Sequence, residues 1–92
     1  MSKVNICGID HEIQECNDNF NVDTHFGQID YKDCIIKINS DMPKHLKTAT
    51  LCHEILHGML VHIGRNDLTT DETFVTSLGN ALAQTFNIKF ID

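Results

Sequence analysis

Ninety-two residues, 41% of them hydrophobic and 22% charged, suffice for one small core, and a single domain over residues 1–92 is expected. One proline and five glycines argue against disorder, and a net charge of −6 disfavours nonspecific association with nucleic acid or anionic membranes. No apolar run approaches the roughly 20 residues of a membrane helix. Met1-Ser2-Lys3-Val4-Asn5 lacks the apolar stretch of a secretory signal, so the expected location is cytoplasmic. Cys7, Cys16, Cys34 and Cys52 are widely spaced with no C-x-x-C pair, which fits neither a thiolate zinc site nor a disulfide framework. They read as reduced and mostly buried small hydrophobes, Cys52 beside His53 being the one open to oxidation.

In chain order, residues 3–15 read as a hairpin. Val4, Ile6 and then Ile9, His11 and Ile13 alternate with polar residues, and Gly8-Ile9-Asp10 offers a turn or bulge. Residues 16–24, with Asn17-Asp18-Asn19 and Asn21, read as a loop. A short strand is expected within residues 25–30 around Gly27-Gln28-Ile29. Tyr31-Lys32-Asp33 then turns the chain into Cys34-Ile35-Ile36-Lys37-Ile38-Asn39, the strongest strand because it is rich in β-branched residues.

Ser40-Asp41-Met42-Pro43 opens a helical run over residues 44–63, with Pro43 suited to the first helical position after Ser40 or Asp41 as cap, and Gly64 as its stop. After the polar loop Gly64-Arg65-Asn66-Asp67, Thr69-Thr70-Asp71-Glu72 leads into a second helix reaching about Phe86. Its core face reads Phe74, Val75, Leu78, Ala81, Leu82 and Phe86. Glu72, Thr76, Gly79 and Ala83 form a neighbouring stripe, and Gly79 in a helix interior implies a close packing partner such as Gly58. Asn87 ends the helix, and Ile88-Lys89-Phe90-Ile91 follows as a short strand or packed tail. The fold class is α+β, a small antiparallel sheet packed on two helices.

Inside the first helical run stands His53-Glu54-Ile55-Leu56-His57. Histidines four apart on a helix share a face one turn apart, so both imidazoles can reach one metal ion, and the glutamate between them can reach a water on that ion. On a wheel at about 100° per residue, Leu46, Ala49, Leu56 and Leu60 fall near the histidines and Cys52, Met59 and Ile63 lie beyond them. The histidines thus border the buried face, while Glu54 points to the side where water and substrate would be. Gly58 leaves room for a second backbone to approach.

A catalytic zinc needs a third protein ligand. The histidine-rich extended motif would require histidine at position 63 and glycine at position 60, where this chain has Ile63 and Leu60. His62 is one residue off and faces away from His57 on a continuous helix. Glu72, across a short loop from His57, can fold back over the histidine face. It can equally serve a capping box within Thr69-Thr70-Asp71-Glu72. Asp71 competes as a ligand, and it too has an ordinary role as a first-turn acid favoured by the helix dipole.

The order of strands, the F-G-Q-I-D hairpin, the H-E-I-L-H-G element and the following E-T-F-V-T-S-L-G-N-A-L helix resemble the short HExxH metallopeptidases of phage and prophage, relatives of the ImmA/IrrE-like zinc peptidases. The likeness spans roughly residues 4–86, and its specific part is the HExxH element. The resemblance implies a minimal zincin-like domain with one Zn2+ per chain between the helices. His53, His57 and Glu72 would be the ligands, as in the gluzincin type, and Glu54 the general base. This chain has Glu72-Thr73-Phe74-Val75-Thr76-Ser77 in place of the family's E-A-N-x-F-A pattern, which leaves the substrate undefined.

The expected activity is therefore hydrolysis of a peptide or protein substrate by a metal-activated water. Tyr31, His25, His45 and His62 are the candidate donors to the developing oxyanion. The Cys34–Ile38 strand, if it is a sheet edge, can pair with an extended peptide. Two other readings compete: a catalytically silent, zinc-stapled phage-type protein that binds a protein partner, and a metal-free domain in which His53 and His57 are ordinary buried residues.

Overall fold

A computed structural model describes residues 2–17 and 26–86. The expectations for the rest of the first loop, for His25 and for residues 87–91 lie outside the described residues. Four strands, β1 (Ser2–Ile6), β2 (Ile9–Cys16), β3 (Gly27–Asp30) and β4 (Ile35–Asn39), precede three helices, α1 (Lys44–His62), α2 (Asn66–Thr69) and α3 (Glu72–Thr85). The α+β class holds.

The sheet is mixed rather than antiparallel, with order β1-β2-β4-β3. β1 and β2 form the expected hairpin, but its turn is Cys7-Gly8, with Ile6 opposite Ile9. Both turn residues have positive φ, 53° and 91°, the conformation that matches strand twist in two-residue hairpins. Asn5 Oδ1 accepts from the Gly8 N–H at 2.9 Å and fixes this turn. β4 inserts between β2 and β3, parallel to β2 with Ile13 opposite Ile36, and antiparallel to β3 with Ile29 opposite Ile36. The β-branched strand is thus central and cannot take a further strand; among the described residues β1 and β3 are the sheet edges. Cys34, expected in β4, is instead the last turn residue, with φ 57°.

Side-chain alternation follows this order. Val4, Ile6, His11, Ile13, Ile36, Ile38, Ile29 and Gly27 occupy one face, and α1 covers it through Leu51 and Ile55. Pro43 is the N-cap of α1 rather than its first helical residue, and no side chain caps that end. The C-terminus closes as expected at Gly64, φ 80°. The Arg65 N–H bonds Leu60 O at 2.8 Å and the Gly64 N–H bonds Val61 O at 3.0 Å, the paired bonds of a Schellman motif.

The opposite side of α1 packs on α3, where Leu56, Leu60 and Val75 are buried with Leu68, Phe74 and Leu82 against them. The core face of α3 differs from the expected one: Leu78 and Phe86 are exposed, as are Met59 and Ile63 on α1. Phe74, Val75 and Leu82 of the expected face do meet α1, and Gly79 of the neighbouring stripe is buried against it as well. A Cβ on Gly79 would lie 3.4 Å from the His53 backbone, so the close partner of Gly79 is His53 and not Gly58. Gly58 instead admits the Ile6 and Ile29 side chains from the sheet. The loop expected over 64–67 is short, because Asn66 starts α2. Of the four free cysteines only Cys52 is buried, and burial raises its thiol pKa, which removes the expected susceptibility to oxidation. Among the described residues no helix is long and apolar enough to cross a membrane.

Candidate metal centre

The i, i+4 spacing on α1 brings the two imidazoles together as expected, with His53 Nε2 3.1 Å from His57 Nε2. The third donor comes from the start of α3. Asp71 is the N-cap, its Oδ1 accepting the Phe74 N–H at 3.1 Å. That role occupies Asp71 and leaves Glu72 at the first helical position with its carboxylate free, so the capping box is not formed. Glu72 reaches back across the α1–α3 interface and sets Oε1 3.0 Å from His53 Nε2 and Oε2 3.1 Å from His57 Nε2.

His53, His57 and Glu72 together can hold a metal ion. Two bonds of about 2.0–2.1 Å at a tetrahedral angle separate ligand atoms by about 3.3 Å, close to the His53–His57 separation and to that between each imidazole and its nearer Glu72 oxygen. The donor chemistry also fits. Two imidazole lone pairs and a carboxylate converging at 3.0–3.1 Å repel one another unless a cation or protons lie among them. Burial, reinforced by His57 and opposed by Glu72, lowers the His53 pKa and keeps its ring neutral, the form a metal requires.

Both rings are oriented from behind. With Nε2 facing the centre, the His57 Nδ1–H donates to Thr69 Oγ1 at 2.8 Å, and the His53 Nδ1–H faces Thr76 Oγ1 at 3.4 Å. Neither threonine is visible as a functional residue in the sequence, where Thr69 reads as part of a cap. The available signal is its place in the short segment between the two helices that carry the ligands.

The centre opens into a cleft of about 720 Å3, within the usual size of ligand sites. Edge strand β3 forms one wall through Gly27, Gln28 and Ile29, and Leu46 and Ala49 of α1 form another. Glu54 lines the same cleft although only 7% of it is exposed. Desolvation, with the nearby Glu72 charge adding to it, raises its pKa from 4.5 to about 7. Glu54 therefore faces the cleft, as its place on the helical wheel implies, from a wall that is partly dry.

Three of the four candidate oxyanion donors lie among the described residues, and they separate clearly. Tyr31, in the turn between β3 and β4, lines the cleft with Glu54 and the three donors. His45 is exposed on the first turn of α1. His62 is turned away from the centre and sets its ring against the buried His11, with centroids 5.7 Å apart, which also removes it as third ligand. Searches of family models, curated proteins and solved structures return no match to this chain.

Proposed function

We propose that this chain is a zinc-dependent metallopeptidase of the short HExxH, gluzincin type, a minimal zincin-like domain that holds one Zn2+ between α1 and α3. The observation that carries the reading is the convergence of His53 Nε2, His57 Nε2 and the Glu72 carboxylate at 3.0–3.1 Å, in a cleft that also contains Glu54. Three protein donors leave a four-coordinate ion one open position, which distinguishes a catalytic from a closed structural site. Bound there, zinc supplies a Lewis acid that acidifies a water and polarises a carbonyl.

The remaining chemistry falls to the chain. Glu54, whose burial makes its carboxylate more basic than an exposed one, is placed in the cleft to accept the proton of the attacking water and return it to the leaving amine. Thr69 and Thr76 hold the two imidazoles in the tautomer that presents Nε2. β3, a sheet edge among the described residues, lies beside the cleft and offers main-chain hydrogen bonds to an extended peptide, a role the central β4 cannot take. A peptide or protein substrate in the cytoplasm, the host cytosol if the chain is phage-encoded as its resemblance suggests, completes the reading. Nucleic acid and membrane have no part in it.

The test combines zinc content with turnover. Untagged wild type is expected to hold about one zinc per chain by elemental analysis, and His57→Ala and Glu72→Ala to lose it. Wild type should cleave a mixed peptide library while Glu54→Gln, folded and zinc-loaded, should not. Zinc without Glu54-dependent cleavage would replace the reading with a zinc-stapled partner-binding protein. Absence of zinc after reconstitution would remove the metal altogether.

A further inference from the structure

Two walls of the cleft stand apart. β3 and α3 each pack on α1, whereas no Cα of β3 lies within 8 Å of one of α3. α1 is therefore the floor of a trench and carries His53 and His57, with β3 along one side and α3 along the other.

The β3 wall has a fixed polarity. The Asn39 N–H donates to Phe26 O at 2.8 Å, so the Phe26 carbonyl points toward β4. In an antiparallel pair the N–H and C=O of one residue point the same way, and successive residues alternate. Phe26, Gln28 and Asp30 therefore direct theirs to β4, and Gly27 and Ile29 turn theirs to the open edge. An extended peptide added there bonds β3 only through every second residue. The residues between turn their N–H and C=O to the α3 wall, where they need partners of their own.

On that wall Glu72, Thr76 and Asn80 recur one helical turn apart, and all three line the cleft. Glu72 is set against both imidazoles and Thr76 Oγ1 against His53 Nδ1. Asn80 is exposed, and its carboxamide has no hydrogen-bond partner among the described residues. Its neighbour Gly79 lies against the His53 backbone, which puts Asn80 beside the metal centre. A carboxamide carries a donor and an acceptor in one plane, the complement of a peptide N–H and C=O.

We infer that Asn80 binds the main chain of the peptide substrate along the edge opposite β3, Oδ1 accepting a peptide N–H and Nδ2 donating to a peptide C=O, an inference that rests on the peptidase reading. Recognition is then of backbone rather than of side chains. It selects an extended segment of any sequence over a helical or sheet-paired one, whose N–H and C=O groups are already taken.

Asn80→Ala removes both partners from an exposed helical position, and alanine is the better helix former, so zinc content should hold and the urea midpoint should stay or rise slightly. The probe is an oligoalanine with a phosphinic group in place of its central peptide bond, and a series in which each flanking amide in turn is exchanged for an ester, which lacks the N–H. In calorimetry the parent should bind zinc-loaded Asn80→Ala about 10- to 100-fold weaker than wild type. One ester should lose about 10-fold on wild type and nothing further on Asn80→Ala, the coupling of two groups that share a hydrogen bond. Equal binding of the parent by the two proteins, or the same ester losses at every position in both, would overturn the assignment. Turnover insensitive to Glu54→Gln marks a different failure, that of the peptidase reading, and the ester series still decides the place of Asn80.

Discussion

Glu54→Gln offers a test of the cleft electrostatics that needs neither substrate nor metal. Glu54 has a pKa of about 7 in the folded chain against an ordinary 4.5, because burial and the neighbouring Glu72 disfavour its charged form. The sign follows from proton linkage. Below pH 4.5 the carboxyl is neutral in both folded and unfolded chains, and its burial carries no charge penalty. As pH rises from 4.5 to 7 the unfolded chain ionises first, so unfolding releases a proton and the folded state loses stability. A difference of about 2.5 pKa units corresponds to about 3 kcal/mol, fully lost above pH 7. Glutamine does not titrate. In chelator, the stability of Glu54→Gln minus that of wild type should climb by about 3 kcal/mol between pH 4.5 and 7 and then level off. In melting temperature that is roughly 12–24 °C for a domain of this size. Urea melts at half-unit pH steps measure the difference, and the six histidines cancel because both proteins share them. A difference constant across this range would refute the desolvated placement of Glu54 and, with it, the raised basicity of its carboxylate.

Thr69→Val should keep the fold and weaken zinc binding by about 10- to 100-fold, measured by competition with a chromogenic chelator, because His57 loses the partner that fixes its tautomer. Two glycines should respond oppositely to alanine. At Gly27 the added Cβ meets Thr50 Cγ2 at 2.7 Å and Lys37 O at 2.9 Å, so Gly27→Ala should destabilise by about 1–3 kcal/mol in urea melts. At Gly79 the nearest atoms lie at 3.4 Å, an ordinary contact, and Gly79→Ala should be neutral or stabilising by up to about 1 kcal/mol.

The HExxH element was legible because its geometry is local: a four-residue spacing fixes one helical face whatever surrounds it, and the two Nε2 atoms do meet at 3.1 Å. The strands, the long helices and the α+β class were legible for the same reason, since period-2 and period-3.6 patterns report on neighbours within a few residues. The Gly64 stop likewise needs only local backbone geometry. The packing face of α3 was legible in part: Phe74, Val75 and Leu82 do pack against α1, whereas Leu78 and Phe86, equally apolar, are exposed. Hydrophobicity alone does not mark where the two backbones approach, which is at Gly79.

The sequence by itself determined two histidines converging on one helical face, the glutamate between them and the helix that presents them, because each depends on spacing along one element. Only the tertiary structure decided the rest. It separated Glu72 from Asp71 by giving Asp71 the cap, put β3 rather than β4 at a sheet edge among the described residues, and brought Thr69 behind His57 and Tyr31 into the cleft. Those relations arise where elements distant in the chain meet. Strand order, helix approach and the competition of two acids for one cap are settled by packing the whole domain, and no spacing within a segment encodes them.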